Sequence, residues 1–246
     1  MRRLALISDI HGNLPALDAV LADVSAAGFA TDGLYCLGDL VGYGPDPRGV
    51  IDRIRSLEIP TIRGNYDAGI GERRGECGCH YATDQARADG AASYAFTDRA
   101  VDDERGAWLA ALPRELRLAA GGLRILLAHG SPRKDNEYLL PDRSDAQLAR
   151  LADEAGIDVV CIGHVHIPYH RTVTGADGRT IHYVSAGSVG KPKDGDPRAC
   201  WTGLAVDGDG VVSSTFHRVA YDIEGVADAM RRVGLPETLI TALHTA

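Results

Sequence analysis

Five apolar runs of strand length, each leading straight into a short polar motif, constrain this chain more than any other feature. Leu4 to Ser8 leads into Asp9-Ile10-His11, and Leu34 to Leu37 into Gly38-Asp39. Thr61 to Arg63 leads into Gly64-Asn65, Ile125 to Ala128 into His129-Gly130, and Val159 to Ile162 into Gly163-His164-Val165-His166. Such runs read as buried strands. Side chains two apart in an extended chain share a side, so Asp9 with His11, and His164 with His166, are expected to face one pocket. Ligand-type residues at several strand ends would then converge on the carboxyl edge of a sheet, where open α/β folds place their sites.

Helical signals separate the runs. Asn13 is a candidate cap for a helix in which Leu14, Leu17, Val20, Leu21 and Val24 recur with helical period, Pro15 fits the first turn and Gly28 ends it. A second helix is predicted near Arg48 to Leu57. The alternation argues for α/β architecture in one domain. Between residues 68 and 113 the motifs stop, and helical stretches around Asp84 to Tyr94 and Asp103 to Leu112 read as an inserted cap. From Thr172 onward, short strands and turns such as Asp177-Gly178 and Asp207 to Gly210 predict hairpins of a second sheet. The latter resembles part of a calcium loop but lacks the closing Glu, so a turn is expected.

The 45% hydrophobic content suffices for a full core, and the longest apolar runs fall well short of the ~20 residues of a membrane span. With no signal-like apolar stretch at the N-terminus, a cytoplasmic location is expected. Cys36, Cys77, Cys79, Cys161 and Cys200 are an odd set that suits a reducing compartment. For Cys77-Gly78-Cys79 we expect loop packing ahead of a metal or redox role. A formal charge of -8 argues against general nucleic-acid or anionic-membrane binding, though not against an anionic substrate.

The ordered set DxH, GD, GN, H and GHxH resembles the calcineurin-like metallophosphoesterase superfamily, over roughly Leu4 to Ser188 and closest to its small bacterial and archaeal phosphodiesterase-type branch. The resemblance implies a four-layer α-β-β-α sandwich of two mixed sheets flanked by helices. It also implies two divalent metal ions, with Asp9, His11, Asp39 and His166 on one and Asp39, Asn65, His129 and His164 on the other. Asp39 would bridge ions ~3.5–4 Å apart, and a bridging hydroxide would attack phosphorus. Oxygen and imidazole ligands suit manganese, the expected metal, with iron, zinc or nickel as alternatives.

Asn65, Tyr66 and Asp67 are the candidate catalytic residues. Many superfamily members carry a histidine after the Asn, serving as general acid or charge stabiliser; here Tyr66, with an unperturbed pKa near ~10, is a poorer proton shuttle. Asp67 is expected to orient the loop. Ser131 and Ser188 read as ordinary loop serines, since neither sits in a strand-turn-helix nucleophile motif. Gly42-Tyr43-Gly44 lacks the third glycine of a dinucleotide fingerprint. Arg133, Lys134, Lys191 and Lys193 follow motif loops and are candidate phosphate contacts, with Arg133 favoured for its planar donor fork. The expected activity is phosphodiester hydrolysis, with phosphomonoesters as further substrates. The alternatives are a protein or nucleotide phosphatase and a non-catalytic interaction scaffold.

Overall fold

The computed structural model describes residues 1–29 and 33–246. Among them, β1 (Arg2–Ile7) pairs in parallel with β2 (Leu34–Cys36) and antiparallel with β8 (Ala199–Val206), which pairs with β9 (Val212–Val219). A second sheet joins β3 (Glu115–Ala120), β4 (Leu123–Ala128), β5 (Val159–Ile162), β7 (Thr180–Ser185) and β6 (Tyr169–Thr174) in that order.

The sheets pack face to face, and the central strands β1, β4 and β5 carry continuous apolar runs because both their faces are buried. Leu4 and Leu6 of β1, Ile125 and Leu127 of β4, and Val159 and Cys161 of β5 point into the core between the sheets. The alternate residues Ala5 and Ile7 meet α1 (Leu14–Ala26) and α2 (Pro47–Ser56) on one outer face. Leu126 and Val160 meet α6 (Asp145–Ala155) on the other. These layers make the expected α-β-β-α sandwich.

Local signals start the helices where the sequence places them. The Asn13 side chain accepts from Ala16 N–H at the start of α1, and Asp46 accepts from Gly49 N–H at the start of α2. Residues 68–113 contain the end of α3 (Asn65–Gly71), then α4 (Asp84–Ala100), which runs past its expected end at Tyr94, and α5 (Asp103–Ala111), which ends one residue before the expected Leu112. A C-terminal helical pair, α7 (Ile223–Arg232) and α8 (Glu237–Thr245), packs against Tyr43 and Phe96. None of the described helices is long and apolar enough to cross a membrane.

Three expectations need correction. The run at Thr61 to Arg63 forms only an isolated bridge, Thr61 to Cys36, because two residues later the chain turns into α3. The late hairpins do not make a second sheet of their own. The β6–β7 hairpin extends the sheet of β4 and β5, whereas β8 and β9 extend that of β1 and β2. Finally, Cys77 and Cys79 are brought face to face rather than merely packed in a loop; Gly78 at φ 67° folds the chain so that their Cα atoms lie 5.4 Å apart, within reach of a disulfide.

Candidate metal centre

The motif strands are divided between the sheets, so the motif residues meet across the layers rather than along one edge. The loop after β1 is tied to the loop after β2 by Asp9 N–H to Gly38 O (2.9 Å), His11 N–H to Asp39 O (3.0 Å) and Gly12 N–H to Leu40 O (2.8 Å). From the opposite sheet, His164 N–H donates to Asp9 Oδ2 at 2.9 Å. The segment before β8 closes the ring: Ser188 Oγ–H donates to Asp9 O, and Val189 and Gly190 N–H bond Ser8 O and Asp9 O. Ser188 thus positions Asp9 and attacks nothing.

The pairs two apart do not converge by strand alternation. Asp9, His11, Asp39, His164 and His166 all have φ between 49° and 64°, the left-handed region, beyond the last residue of their strands. Five such residues, each costing on the order of 1–3 kcal/mol, are held by the interlocked loops and mark a functional site. Motif glycines permit the close packing. A Cβ on Gly64 would overlap Asp39 Oδ1, and one on Gly163 would overlap Ser8 Oγ.

All seven candidate ligands are buried and brought together. Asp9, His11 and His166 form one group and Asp39, His129 and His164 another, the ligand atoms of each within 4.8 Å of one another. Asp39 Oδ2 lies 3.8 Å from His11 Nε2 and 3.4 Å from His129 Nε2, between the groups. Asn65 Oδ1 lies 3.2 Å from His129 Nε2, while its amide N–H bonds point away to Cys77 O and Cys79 Sγ.

These residues fit a pair of cations. The Nδ1 atoms of His11, His129 and His166 face the carbonyls of Val41 (2.9 Å), Leu37 (2.7 Å) and Lys191, which turns each Nε2 inward. That arrangement is usual for metal-ligating imidazoles. His11 Nε2 and His166 Nε2 then face each other at 3.2 Å. Asp9 Oδ1 and His164 Nε2 are buried with no hydrogen-bond partner among the described residues, an expensive vacancy for polar atoms unless a cation takes them.

The electrostatics agree. Burial pushes His11 and His164 down to about 3 and His166 well below the ordinary histidine value, so these rings are neutral and present lone pairs. Burial works against charge on His129 too, but the adjacent Asp39 carboxylate outweighs it and raises His129. Charge on His129 in turn holds Asp39 low against burial.

Asp67 is a positioning residue. Its carboxylate accepts from Asp39 N–H (2.8 Å), Gly64 N–H (2.8 Å) and Leu40 N–H (2.9 Å), locking two motif loops together. Tyr66 is buried against His11 and Tyr43, with ring centroids 5.6 and 5.0 Å away, and burial raises its phenol well above the ordinary value. Its hydroxyl has no hydrogen-bond partner among the described residues.

Arg133, the favoured phosphate contact, is held by a carboxylate in this structure. Arg133 Nη2 pairs with Glu137 Oε1 at 2.5 Å, in a cluster where Glu137 also accepts from Ser131 and Arg143, and its guanidinium is directed to that carboxylate. Lys191 and Lys193 instead line a cavity of about 270 Å³. Tyr43, edge-on to His11 at 4.9 Å, and Tyr138, 4.1 Å from His164, line the same cavity, which places it over both ligand groups. Lys134 lines a separate groove beside Asn65 and Arg114. Sequence reasoning missed the tyrosines and the contribution of α8. The one available signal was Tyr43 between two glycines, which the structure explains by its own φ of 59°.

Residues 2–207 match the family model of the calcineurin-like phosphoesterase superfamily domain, and the chain belongs to that family. It is a metallophosphoesterase whose superfamily uses a dinuclear divalent metal site. It is similar to protein MJ0912 of Methanocaldococcus jannaschii, with 30% identity over 96% of this chain and 95% of that protein. A crystal structure of a metallophosphoesterase from Sphaerobacter thermophilus shares 32% identity, covers 99% of both chains and superposes with a TM-score of 0.73. A shorter stretch of 64 residues is 42% identical to a symmetrical bis(5'-nucleosyl)-tetraphosphatase of Pectobacterium atrosepticum, covering 25% of this chain and 22% of that protein.

Proposed function

We propose that the protein hydrolyses phosphodiesters at a dinuclear centre in which Asp9, His11, Asp39 and His166 hold one divalent ion and Asp39, Asn65, His129 and His164 the other. The observation that carries this reading is the placement of Asp39 Oδ2 between two buried ligand triads whose remaining atoms, Asp9 Oδ1 and His164 Nε2, lack partners. When bound, the ions supply Lewis acidity and a water of lowered pKa. Manganese is the proposed metal; oxygen and imidazole donors without thiolate suit manganese, iron and zinc alike, and metal analysis of the purified protein separates them.

The chain's own residues set the rest. Asp39 supplies the negative charge shared by both positions, Asn65 a neutral oxygen fixed by its bonds to Cys77 and Cys79. Tyr66 remains a neutral phenol and is a poor proton shuttle at neutral pH, so the leaving group departs largely as an anion. That favours diesters, anhydrides and aryl esters over alkyl monoesters. Residues between 79 and 89, part of the cap insertion at 68–113, form one wall of the cavity. A cytoplasmic location is part of the proposal. Nucleotide hydrolysis is the second reading, supported by the 64-residue similarity to the tetraphosphatase.

Turnover of bis(nitrophenyl) phosphate by the purified protein with manganese tests the proposal. Hydrolysis abolished by chelation and restored by manganese is expected. A fully metal-loaded protein inert toward diesters and monoesters would instead be an interaction scaffold.

A further inference from the structure

Lysine is rare in this chain, occurring only at positions 134, 191 and 193, whereas the other cationic side chains are arginines. Most of those arginines are engaged with carboxylates. The ammoniums of Lys191 and Lys193 have no carboxylate within 4.0 Å among the described residues. Their backbones are fixed against the metal centre: Lys191 O faces His166 Nδ1, Lys191 N–H donates to Ser188 Oγ (2.8 Å) and Lys193 N–H donates to His166 O (3.3 Å). Lys191 Nζ also lies 4.8 Å from the Tyr43 ring centre.

The two side chains thus carry like charge into one cavity beside a centre that adds further positive charge when loaded. Two neighbouring cations without counter-charges repel, and an anion placed between them removes that cost. Asp89 lines the same cavity and offsets part of this charge, but it lies beyond 4.0 Å of either ammonium and accepts from Gln85 Nε2–H at 2.9 Å, so it pairs with neither lysine. Tyr43, whose ring lies beside the Lys191 ammonium, and Tyr81 and Tyr138 line the same cavity and supply aromatic surface of the kind on which planar rings stack. A cavity of about 270 Å³ is of the size that takes a small organic ligand.

Resting on the phosphoesterase reading above, we propose that Lys191 and Lys193 bind a second, non-scissile phosphate and the tyrosines its aromatic ring, making the substrate class nucleoside polyphosphates. Because the backbone of Lys191 and Lys193 is bonded to His166, a phosphate on the lysines would neighbour one on the ligand groups, the relation a polyphosphate chain supplies. The ring follows along the tyrosine wall.

The test is binding of α,β-methylene-ADP, AMP and inorganic pyrophosphate to the manganese-loaded protein, measured by calorimetry. Lys193→Gln, an exposed position that leaves packing intact, and the double variant Lys191→Gln/Lys193→Gln are compared with wild type, and metal content is measured on each. Wild type is expected to bind methylene-ADP at least ~10-fold tighter than AMP, the scale of one charge-assisted contact, and tighter than pyrophosphate. The ratio to AMP should fall in Lys193→Gln and approach one in the double variant. Equal wild-type affinities for methylene-ADP and AMP, or a ratio unchanged in both variants at full metal content, would overturn the phosphate subsite. Pyrophosphate binding as tightly as methylene-ADP would overturn the ring wall. Loss of the phosphoesterase reading registers separately, as a metal-loaded wild type that cleaves no phosphoester.

Discussion

Replacing Asp67 by Asn tests how the site is held in shape. The carboxylate accepts three buried backbone N–H groups, two on Oδ2 and one on Oδ1. An amide has a single acceptor oxygen, which keeps the pair from Asp39 and Gly64, while its NH2 group confronts the Leu40 N–H. One buried donor is left unpaired, at about 1–3 kcal/mol, and the surviving bonds lose their charge assistance; relief of the burial and Asp39 repulsion that disfavour the carboxylate offsets part of this, leaving a total of about 2–4 kcal/mol. At ~2–4 °C per kcal/mol for a chain of this size, the melting temperature of metal-free protein should fall by roughly 5–15 °C. Because the lost bond sits one residue from Asp39, manganese affinity should also fall, by at least ~10-fold. Calorimetric unfolding and metal titration at pH 8.5 make the comparison, a pH high enough to ionise Asp67 although burial and the charge of Asp39 push its pKa up. A shift under ~2 °C with unchanged metal affinity would refute the positioning role.

Asp39→Asn should lower metal content and reduce turnover by orders of magnitude while the fold persists, checked by metal analysis and circular dichroism; full occupancy would remove Asp39 from the centre. With Tyr66 unable to shuttle protons, nitrophenyl esters should react much faster than alkyl esters, and Tyr66→His should flatten that dependence by up to ~10²–10⁴ on poor leaving groups. A wild type insensitive to leaving-group pKa would place another donor in the site. In the metal-free protein the raised His129 pKa contributes stability that is full below the unfolded value of ~6.5 and lost as pH rises through the folded one. A metal ion must displace that proton. Manganese affinity should therefore rise with pH above neutrality, with proton release seen as buffer-dependent heats of binding.

The strands and the seven candidate ligands were legible in the sequence because burial on two faces leaves continuous apolar runs, and because ligand chemistry admits few residue types. How the ligands converge was not. Alternation along a strand suggested that Asp9 and His11 face one way, yet both lie past the end of β1 in left-handed geometry fixed by partners near residues 38–40 and 188–190. Such contacts are non-local and leave no periodic trace. The division of late hairpins between sheets was hidden for the same reason. Arg133 looked apt by chemistry and proximity to His129, but Glu137 four residues on captures it. Lys191 and Lys193 reach the cavity because the segment carrying them is bonded to Ser8, Asp9 and His166, distant in sequence.

Anomalous diffraction from crystals grown with manganese tests the central claim most directly. The account predicts two peaks per chain roughly 3.5–4 Å apart, one contacted by Asp9, His11 and His166, the other by Asn65, His129 and His164, with Asp39 touching both. A single peak, or peaks away from Asp39 at full occupancy, would contradict it.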